Sequence, residues 1–396
     1  MTARPAISDA QRRARLLRRH RLAPLHRATD VTDLADSLVG FHATTPSTVY
    51  LSAWARIDGF VPDAMDGALY RDRSLVKQLA MRRTLFVVTR PVLAAAVGAV
   101  GPRVAASERT NMLRDLRRSP DFPDPEGWID TARAAVVEDL ADGAARTSSQ
   151  LRERLPALDG FVVHGVGKSW GGRAPMGPRV LNMLSAAGEI VRGPNTSEQW
   201  ALSRPSWVLM EHWLGESLAQ IGVEDGHRAM IERWLRAFGP GTETDLVWWL
   251  GSTKRAVRDA LANLDVVEVD LDDGETGYVL ADDLDPDDEV EPCGFLLPEL
   301  DPTTMGWKRR DFYLGAHAER VFDSNGNGGQ TVWWDGRIVG GWRQRGDDGV
   351  IDLHLLEPLP RAARRALDAE AQRLGAWLGE VRPKPGYPAP FMRGLR

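Results

Sequence analysis

The sequence has 396 residues and contains a single cysteine, Cys293. One cysteine cannot form an internal disulfide bond, and no group of cysteines and histidines has the spacing of a zinc site. No stretch approaches the roughly 18 consecutive apolar residues that a transmembrane helix needs, and the first residues lack the apolar core of a signal peptide. We therefore expect a cytoplasmic protein without a bound metal and without a membrane partner.

Two short motifs resemble cofactor sites but miss a required residue. The GVGKS segment at 165–169 lacks the upstream glycine of a phosphate-binding loop, because Val162 stands at that position. The DSNGNGG segment at 323–329 begins like a calcium loop, but Trp334 occupies the place of the obligatory glutamate. We therefore expect no nucleotide cofactor and no calcium, and we interpret DSNGNGG as a loop tip.

The charge is unevenly distributed, although the net charge is only −5. Residues 265–291 are strongly acidic, whereas basic residues crowd the N-terminal third. These are Arg12, Arg13, Arg15, Arg18, Arg19, Arg21, Arg27, Arg71, Arg73, Lys77, Arg82, Arg83, Arg103, Arg109, Arg114, Arg117 and Arg118. This asymmetry predicts a cationic face that meets a polyanion while the acidic part faces away. The alternative is a set of solvated arginine-rich helices.

Three segments repeat one order of elements, which is helix, helix, turn, helix and then a β-hairpin. This order is typical of a winged helix. The clearest copy spans 226–280, where Thr242 and Asp245 suit a capping box and Gly251 suits a turn. Ser252 or Thr253 can cap the third helix. Alternating residues around an Asp-Gly turn predict a wing at 266–280.

The other two copies span 8–90 and 129–202. The first has helices in DAQRRARLLRRHRL, VTDLADSLVGF and TVYLSAWAR, with strands near SLVKQLAM and TLFVV. In the second, EIVRG and QWALS predict two strands around a Pro-Asn turn. Residues 294–357 predict a small sheet, and a closing helix follows. We predict an α+β fold with modules at 1–120, 121–215, 216–285 and 286–396.

Four segments resemble the AlkZ/YcaQ-like winged-helix DNA glycosylases. They are LVGFHATTPSTVYLSAWAR (38–56), MRRTLFVV (81–88), LPELDPTTMGWKRRDFYLG (297–315) and GGQTVWWDGRIVGGW (328–342). The resemblance implies tandem winged helices in a C-shaped arrangement around a DNA channel. It also implies excision of alkylated purines, including bulky adducts and crosslinks, without a covalent enzyme–DNA intermediate.

The family's catalytic motif, Gln-apolar-Gln or Gln-apolar-Asp, falls on His42-Ala43-Thr44 of this chain. An extended link would put His42 and Thr44 on one face. A neutral His42 could accept a proton from the attacking water, and Thr44 could hold that water. The alternative is a histidine at a helix end followed by a capping Thr44 or Thr45.

Candidate DNA contacts come from four other places in the chain. Basic residues at the start of a recognition helix reach phosphates or bases, and aromatic residues beside basic ones suit nucleic acid. The candidates are Arg82, Arg83, Lys254, Arg255, Arg258, Trp307, Lys308, Arg309, Asn325 and Asn327. The residues at 254–258 have a structural alternative as an exposed face of a scaffold helix, and those at 307–310 as a solvated turn of a structural sheet. We expect Trp248 and Trp249 to belong to the core.

Two functions remain open at this point. The first is a monofunctional DNA glycosylase for alkylated purines, with His42 and Thr44 at the reaction centre. The second is a non-catalytic winged-helix protein that acts as a transcriptional regulator or lesion binder. Both predict double-stranded DNA, damaged in the first case, as the partner of a monomer that needs no cofactor. Both place the protein on the nucleoid when it is bound to DNA.

Overall fold

The computed structural model describes residues 4–164, 171–197 and 199–393, so the GVGKS segment lies outside the described residues. Helices and strands are both abundant, which confirms the α+β prediction. The N-terminal part contains β1 (Ala6–Ile7), α1 (Asp9–Arg19), α2 (Val31–Ser37), β2 (Phe41–His42), α3 (Pro46–Trp54), α4 (Pro62–Asp66), β3 (Leu75–Leu79), β4 (Leu85–Thr89) and α5 (Arg90–Leu116).

Helix α2 is shorter than its apolar pattern predicts. It ends at Ser37 because the chain turns through two positive φ angles, 55° at Val39 and 123° at Gly40. A Cβ at position 40 would lie 2.7 Å from Val88 Cγ1 and 2.9 Å from the Val87 carbonyl oxygen. Glycine at this position therefore lets β2 approach β4 closely.

The second part has the predicted order of helices, but its last strand differs from the prediction. Its elements are α6 (Pro125–Asp139), β5 (Arg146–Thr147), α7 (Ser148–Arg154), β6 (Phe161–His164), β7 (Gly172–Pro175), α8 (Gly177–Ala186), β8 (Ile190–Asn195), β9 (Pro205–Leu209) and α9 (Met210–Leu214). The prediction of a strand at QWALS is wrong, because the strand that pairs with β8 is Pro205–Leu209. Asn195 binds the Leu202 carbonyl and the Arg204 amide across a wide loop, so pairing resumes only at Pro205.

The third part follows the predicted pattern throughout. It contains α10 (Val223–Phe238), α11 (Glu243–Leu250), α12 (Lys254–Leu261), β10 (Val266–Leu271) and β11 (Thr276–Leu280). Thr242 and Asp245 form the expected capping box, and Gly251 ends α11 with a φ of 64°. Of the two candidate caps of α12, Thr253 is the one whose side chain accepts a backbone N–H. Strands β10 and β11 pair as an antiparallel hairpin.

The C-terminal part is the predicted sheet with its closing helix. Its elements are β12 (Gly294–Leu297), α13 (Asp311–Leu314), α14 (Ala318–Val321), β13 (Thr331–Trp334), β14 (Arg337–Gln344), β15 (Ile351–Leu355) and α15 (Arg361–Leu378). The four strands form one antiparallel sheet in sequence order.

Two of the predicted hairpins share one sheet. Its strand order is β2-β4-β3-β8-β9-β5, and Lys77 of β3 pairs with Arg192 of β8 where the first and second parts meet. A third sheet has the order β1-β10-β11, so the N-terminal strand extends the hairpin of the third part. Strand β2 lies at one edge of the shared sheet, so only one side of its backbone pairs with another strand, β4.

The buried apolar residues that the structure describes form one large cluster and two smaller ones, the smallest of which lies between β1 and the β10–β11 hairpin. The large cluster joins residues of the N-terminal, third and C-terminal parts, whereas the second part packs around its own cluster between Met112 and Leu209. Helix α5 packs against α8 and α10, so it connects these regions. Within the described ranges, no helix combines the length and the apolar character needed to cross a bilayer.

Candidate active site

His42 lies in the two-residue edge strand β2. It pairs with Phe86 of β4, and the centroids of the two rings are 5.1 Å apart. Only 4% of the His42 surface is exposed. The sheet therefore holds the imidazole in a mostly apolar setting, beside the ring of Phe86.

Burial and the positive charge of nearby Arg82 lower the pKa of His42 from 6.5 to about 3. The backbone N–H of Thr44 faces His42 Nδ1 at 3.5 Å, a long contact that suits a ring with its proton on Nε2. His42 is therefore neutral at pH 7, with one donor and one acceptor. A base with a pKa of about 3 removes protons from water inefficiently at neutral pH. This environment favours orienting a water molecule over accepting its proton.

Thr44 has a different environment from His42. The threonine is exposed, whereas His42 and Ala43 are buried. Helix α3 follows directly, with Thr45 as its N-cap residue and Pro46 at the start of the helix. The Thr45 side chain makes no capping hydrogen bond. Helix capping therefore does not explain Thr44, because the N-cap residue is Thr45.

Arg82 lies beside His42, in the short helical turn between β3 and β4. Its φ of 52° directs the chain towards the end of α11. The Arg82 Cζ atom lies 4.1 Å from the ring centroid of Trp248. The end of α11 approaches closely, because a Cβ on Gly251 would lie 3.0 Å from Arg82 Cα. The first and third parts of the chain therefore meet at this turn.

Arg83 does not share the contact of Arg82 with Trp248 and instead forms an ion pair with Glu108 of α5. Its side chain is 53% exposed. The adjacent arginines at positions 82 and 83 therefore have separate roles, since one stacks on a tryptophan and the other is exposed and paired with a carboxylate.

The Lys308–Arg310 segment is anchored to α11 through Asp245. The Asp245 carboxylate accepts hydrogen bonds from the backbone N–H groups of Lys308 and Arg309, at 2.8 and 2.7 Å. The Lys308 side chain is exposed, and Arg309 forms an ion pair with Glu275 at 2.9 Å. Asp245, which caps α11, therefore also positions this basic segment.

Arg310 turns inward where its two neighbours turn outward. It is 7% exposed, and its Cζ atom lies 3.8 Å from the ring centroid of Phe322 and 5.2 Å from that of Trp248. Phe86, which contacts His42, in turn lies 6.3 Å from Trp249. The structure therefore brings His42, Arg82 and Arg310 together around α11. Trp249 is buried, as expected, whereas Trp248 is only partly buried.

Trp307 requires a correction, because the prediction that it contacts DNA is wrong. It is 2% exposed and its ring packs among His20, Trp234, Phe238, Phe312 and Tyr313. An aromatic residue enclosed in this way supplies core packing and has no face available for a base.

The basic residues of α12 are exposed and lie on the helix surface. Arg258 pairs with Glu243 at 2.6 Å, and Arg255 pairs with Asp259 at 3.6 Å. Lys254 is exposed at the first turn of the helix. All of these ion pairs stay within the third part of the chain, so the structure does not link them to His42.

Asn325 and Asn327 lie in the predicted loop, which Asp323 organises. The Asp323 carboxylate accepts the backbone N–H groups of both asparagines at 2.9 Å and the Asn327 side-chain amide at 3.0 Å. The Asn327 amide is thus already used within the loop. The Arg310 guanidinium stacks on Phe322, which directly precedes the loop. The loop therefore borders the residues that surround α11.

The predicted cationic face is wrong for α1. Arg19 binds Asp283 at 2.8 Å and Asp287 at 2.9 Å, and Arg15 binds Asp283 at 3.2 Å. The acidic segment therefore lies on the basic helix instead of facing away from it. The physical reason is that carboxylates neutralise guanidinium groups that would otherwise be partly buried without counter-ions.

A buried ion pair, which the sequence did not predict, joins two of the segments that resemble the family, 38–56 and 297–315. Arg56 and Asp301 are both fully buried, and Arg56 Nη2 lies 2.7 Å from Asp301 Oδ1. The Ser52 hydroxyl and the Thr303 backbone N–H also donate to Asp301. Both segments were singled out by their resemblance. A pair separated by 245 residues, however, leaves no local signal that could connect them.

The fold defined by these elements is that of a DNA glycosylase of known structure. The DNA glycosylase AlkZ of Streptomyces sahachiroi superimposes with a TM-score of 0.74 at 21% identity, over 95% of this chain and 98% of that one. The family described as "DNA glycosylase AlkZ-like" matches residues 35–377, and the chain belongs to this family. A search of curated proteins found no match.

Proposed function

We propose that this chain hydrolyses the N-glycosidic bond of purines alkylated at N7 or N3, including bulky adducts or crosslinks. The observation that carries the proposal is the neutral imidazole of His42, held at the motif position beside Arg82. The family's glutamines at this position are neutral hydrogen-bonding groups. The neutral imidazole of His42 likewise offers an uncharged donor at Nε2, while its Nδ1 faces the Thr44 backbone N–H.

The chemistry asks little of a general acid. An alkylated purine already carries a positive charge and leaves readily, so the sugar develops oxocarbenium character as the bond breaks. His42 orients the attacking water, and Thr44, which is exposed next to it, supplies a second hydrogen bond. The water's proton then passes to solvent. The products are a free base and an abasic site, with no covalent intermediate.

We also propose that the three helix-and-hairpin segments are winged-helix units in a C-shaped arrangement around duplex DNA. The chain would bind damaged double-stranded DNA as a monomer and without a cofactor, and it would lie on the nucleoid when bound. Several of the predicted contacts are exposed, which supports their role. These are Arg83, Lys254, Arg255, Arg258, Lys308 and Arg309.

One observation favours the second candidate function, a non-catalytic regulator or lesion binder. His42 is 4% exposed, which leaves little of its surface for a water molecule in the free protein. Catalysis therefore needs DNA binding to open access to the imidazole, whereas a protein that only binds needs no such opening.

The deciding experiment is the release of N7-methylguanine, or of a bulkier guanine adduct, from a defined duplex. We expect release by the wild type and a loss of about 10²–10³-fold in single-turnover rate in His42→Ala, as for removal of one positioned hydrogen-bonding group, with little change in DNA affinity. Thr44→Ala should lose less, because the exposed Thr44 hydroxyl supplies only a second hydrogen bond to a water that His42 still orients.

His212→Ala is the matched control, because His212 is exposed on α9 and has no part in the proposed site. Equal rates for the wild type and His42→Ala would contradict the assignment of His42. Tight DNA binding without release from a wide panel of adducts would instead select the regulator or lesion binder.

A further inference from the structure

Two arginines differ from the others around the candidate site. Many arginines of the N-terminal third pair with carboxylates, as Arg71 does with Asp63 and Arg109 with Asp130. The guanidinium groups of Arg82 and Arg310 form no hydrogen bond or ion pair with another described residue, and the Nε atoms of both are buried without a partner. These two guanidinium groups therefore have unused donors in the free protein, although the carboxylates of Asp245 and Asp311 stabilise the charge of Arg310 from nearby.

The same two arginines are fixed in position by stacking. Both lie over the ring of Trp248, and Arg310 also lies over Phe322. A guanidinium stacked on a ring keeps the edge of its fork free for hydrogen bonds. The aromatic contacts thus hold the two cations in place without using their donors.

Their proximity has an electrostatic cost. Burial lowers the pKa of both side chains, that of Arg82 to about 10, and the charge of Arg310 contributes to the shift in Arg82. Asp245 and Asp311 offset part of this cost at Arg310, whereas no carboxylate among the described residues does so at Arg82. An anion that reached both guanidinium groups would relieve the remaining cost. The arrangement is therefore suited to a ligand that brings negative charge.

We infer that Arg82 and Arg310 together bind one phosphodiester group of the DNA strand that carries the target nucleotide. This inference rests on the proposed function, because the neighbouring His42 marks where the sugar of that nucleotide would lie. A phosphate accepts two guanidinium forks with favourable geometry. Binding it beside His42 would set the distance between the sugar and the imidazole.

Methylphosphonate scanning tests the inference directly. A duplex with a single abasic-site analogue is prepared with a neutral methylphosphonate at one backbone position at a time near the analogue. We expect one position to weaken wild-type binding about tenfold or more. In Arg310→Met, binding to the unmodified duplex should be weaker by a similar factor, and the methylphosphonate at that position should have no further effect.

Arg310→Met keeps the apolar contacts with Phe322 and Trp248 while it removes the charge. Its melting temperature is measured alongside, so that a loss of folding is distinguished from a loss of binding. Arg364→Met is the matched control, because Arg364 is an exposed arginine of α15 paired with Asp368. That variant should respond to the methylphosphonates as the wild type does. Arg310→Met with wild-type affinity, or with the wild-type response at every position, would overturn the inference.

Two further measurements separate the possible outcomes. If inorganic phosphate raises the melting temperature of the wild type but not of Arg310→Met, and no methylphosphonate matters, the site takes free phosphate and the assignment to DNA is wrong. Release of N7-methylguanine is scored with the same proteins. Release without a methylphosphonate effect refutes the phosphate contact alone, and the reverse result refutes the glycosylase alone.

Discussion

Replacing Asp301 with asparagine should lower the free energy of unfolding by about 3–5 kcal/mol. The Asp301 carboxylate accepts hydrogen bonds from the Ser52 hydroxyl at 2.6 Å, from Arg56 at 2.7 and 2.9 Å, and from the Thr303 amide at 2.9 Å. An asparagine of the same size turns one acceptor into a donor that faces other donors. At least two charge-assisted bonds are lost, each contributing about 1.5–3 kcal/mol, and a buried guanidinium stays unpaired.

Urea unfolding followed by tryptophan fluorescence and by circular dichroism measures this change. The control is Asp368→Asn, which breaks an exposed pair on α15 and should cost less than about 0.5 kcal/mol. A double variant, Arg56→Met with Asp301→Leu, should lose less than the sum of the single variants, because neither buried charge remains. A loss below about 1 kcal/mol in Asp301→Asn would refute the reasoning.

Three other outcomes follow from the titrations and ion pairs. Burial lowers the pKa of both His20 and His42 to about 3 in the folded protein, so the stability they contribute is complete above pH 6.5. This stability is lost as pH falls from 6.5 towards 3. At pH 5 the free energy of unfolding should be lower by about 2 kcal/mol for each histidine, which urea unfolding above pH 6.5 and at pH 5 measures. Base release should show no inflection from His42 between about pH 5 and 8 in a pH–rate profile; an inflection near 6.5 would contradict the neutral imidazole. Asp283→Asn should lower the melting temperature, because the carboxylate that joins Arg15 and Arg19 loses its charge.

Local signals predicted the third part of the fold well. Thr242 with Asp245 and the left-handed Gly251 each act within a few residues, and the alternation of the hairpin is equally local. The strand after Asn195 was misplaced because two neighbouring stretches both suit a strand. The side chain of that asparagine and the bonds from Thr196 to the Arg204 carbonyl together fix where pairing resumes.

Contacts between residues that are distant in the chain could not be predicted from the sequence. The acidic segment and α1 are about 268 residues apart, so charge clustering was visible but charge neutralisation was not. The same limit applies to Trp307, whose basic neighbours suggested nucleic acid although its ring lies in the core. For the candidate site, the sequence located His42 and Arg82. The burial that keeps His42 neutral, and the stacking of Arg82 and Arg310 on one tryptophan, required the tertiary structure.

The position of His42 on a two-residue edge strand has a consequence for how this site can be redesigned. Backbone pairing with β4, together with the close approach at Gly40, sets the place of residue 42 whatever its side chain is. Side chains there can therefore be exchanged for chemistry without rebuilding the scaffold. A pair of glutamines at positions 42 and 44 would restore the family's motif on an unchanged backbone, which makes this edge a natural place for engineering altered excision chemistry.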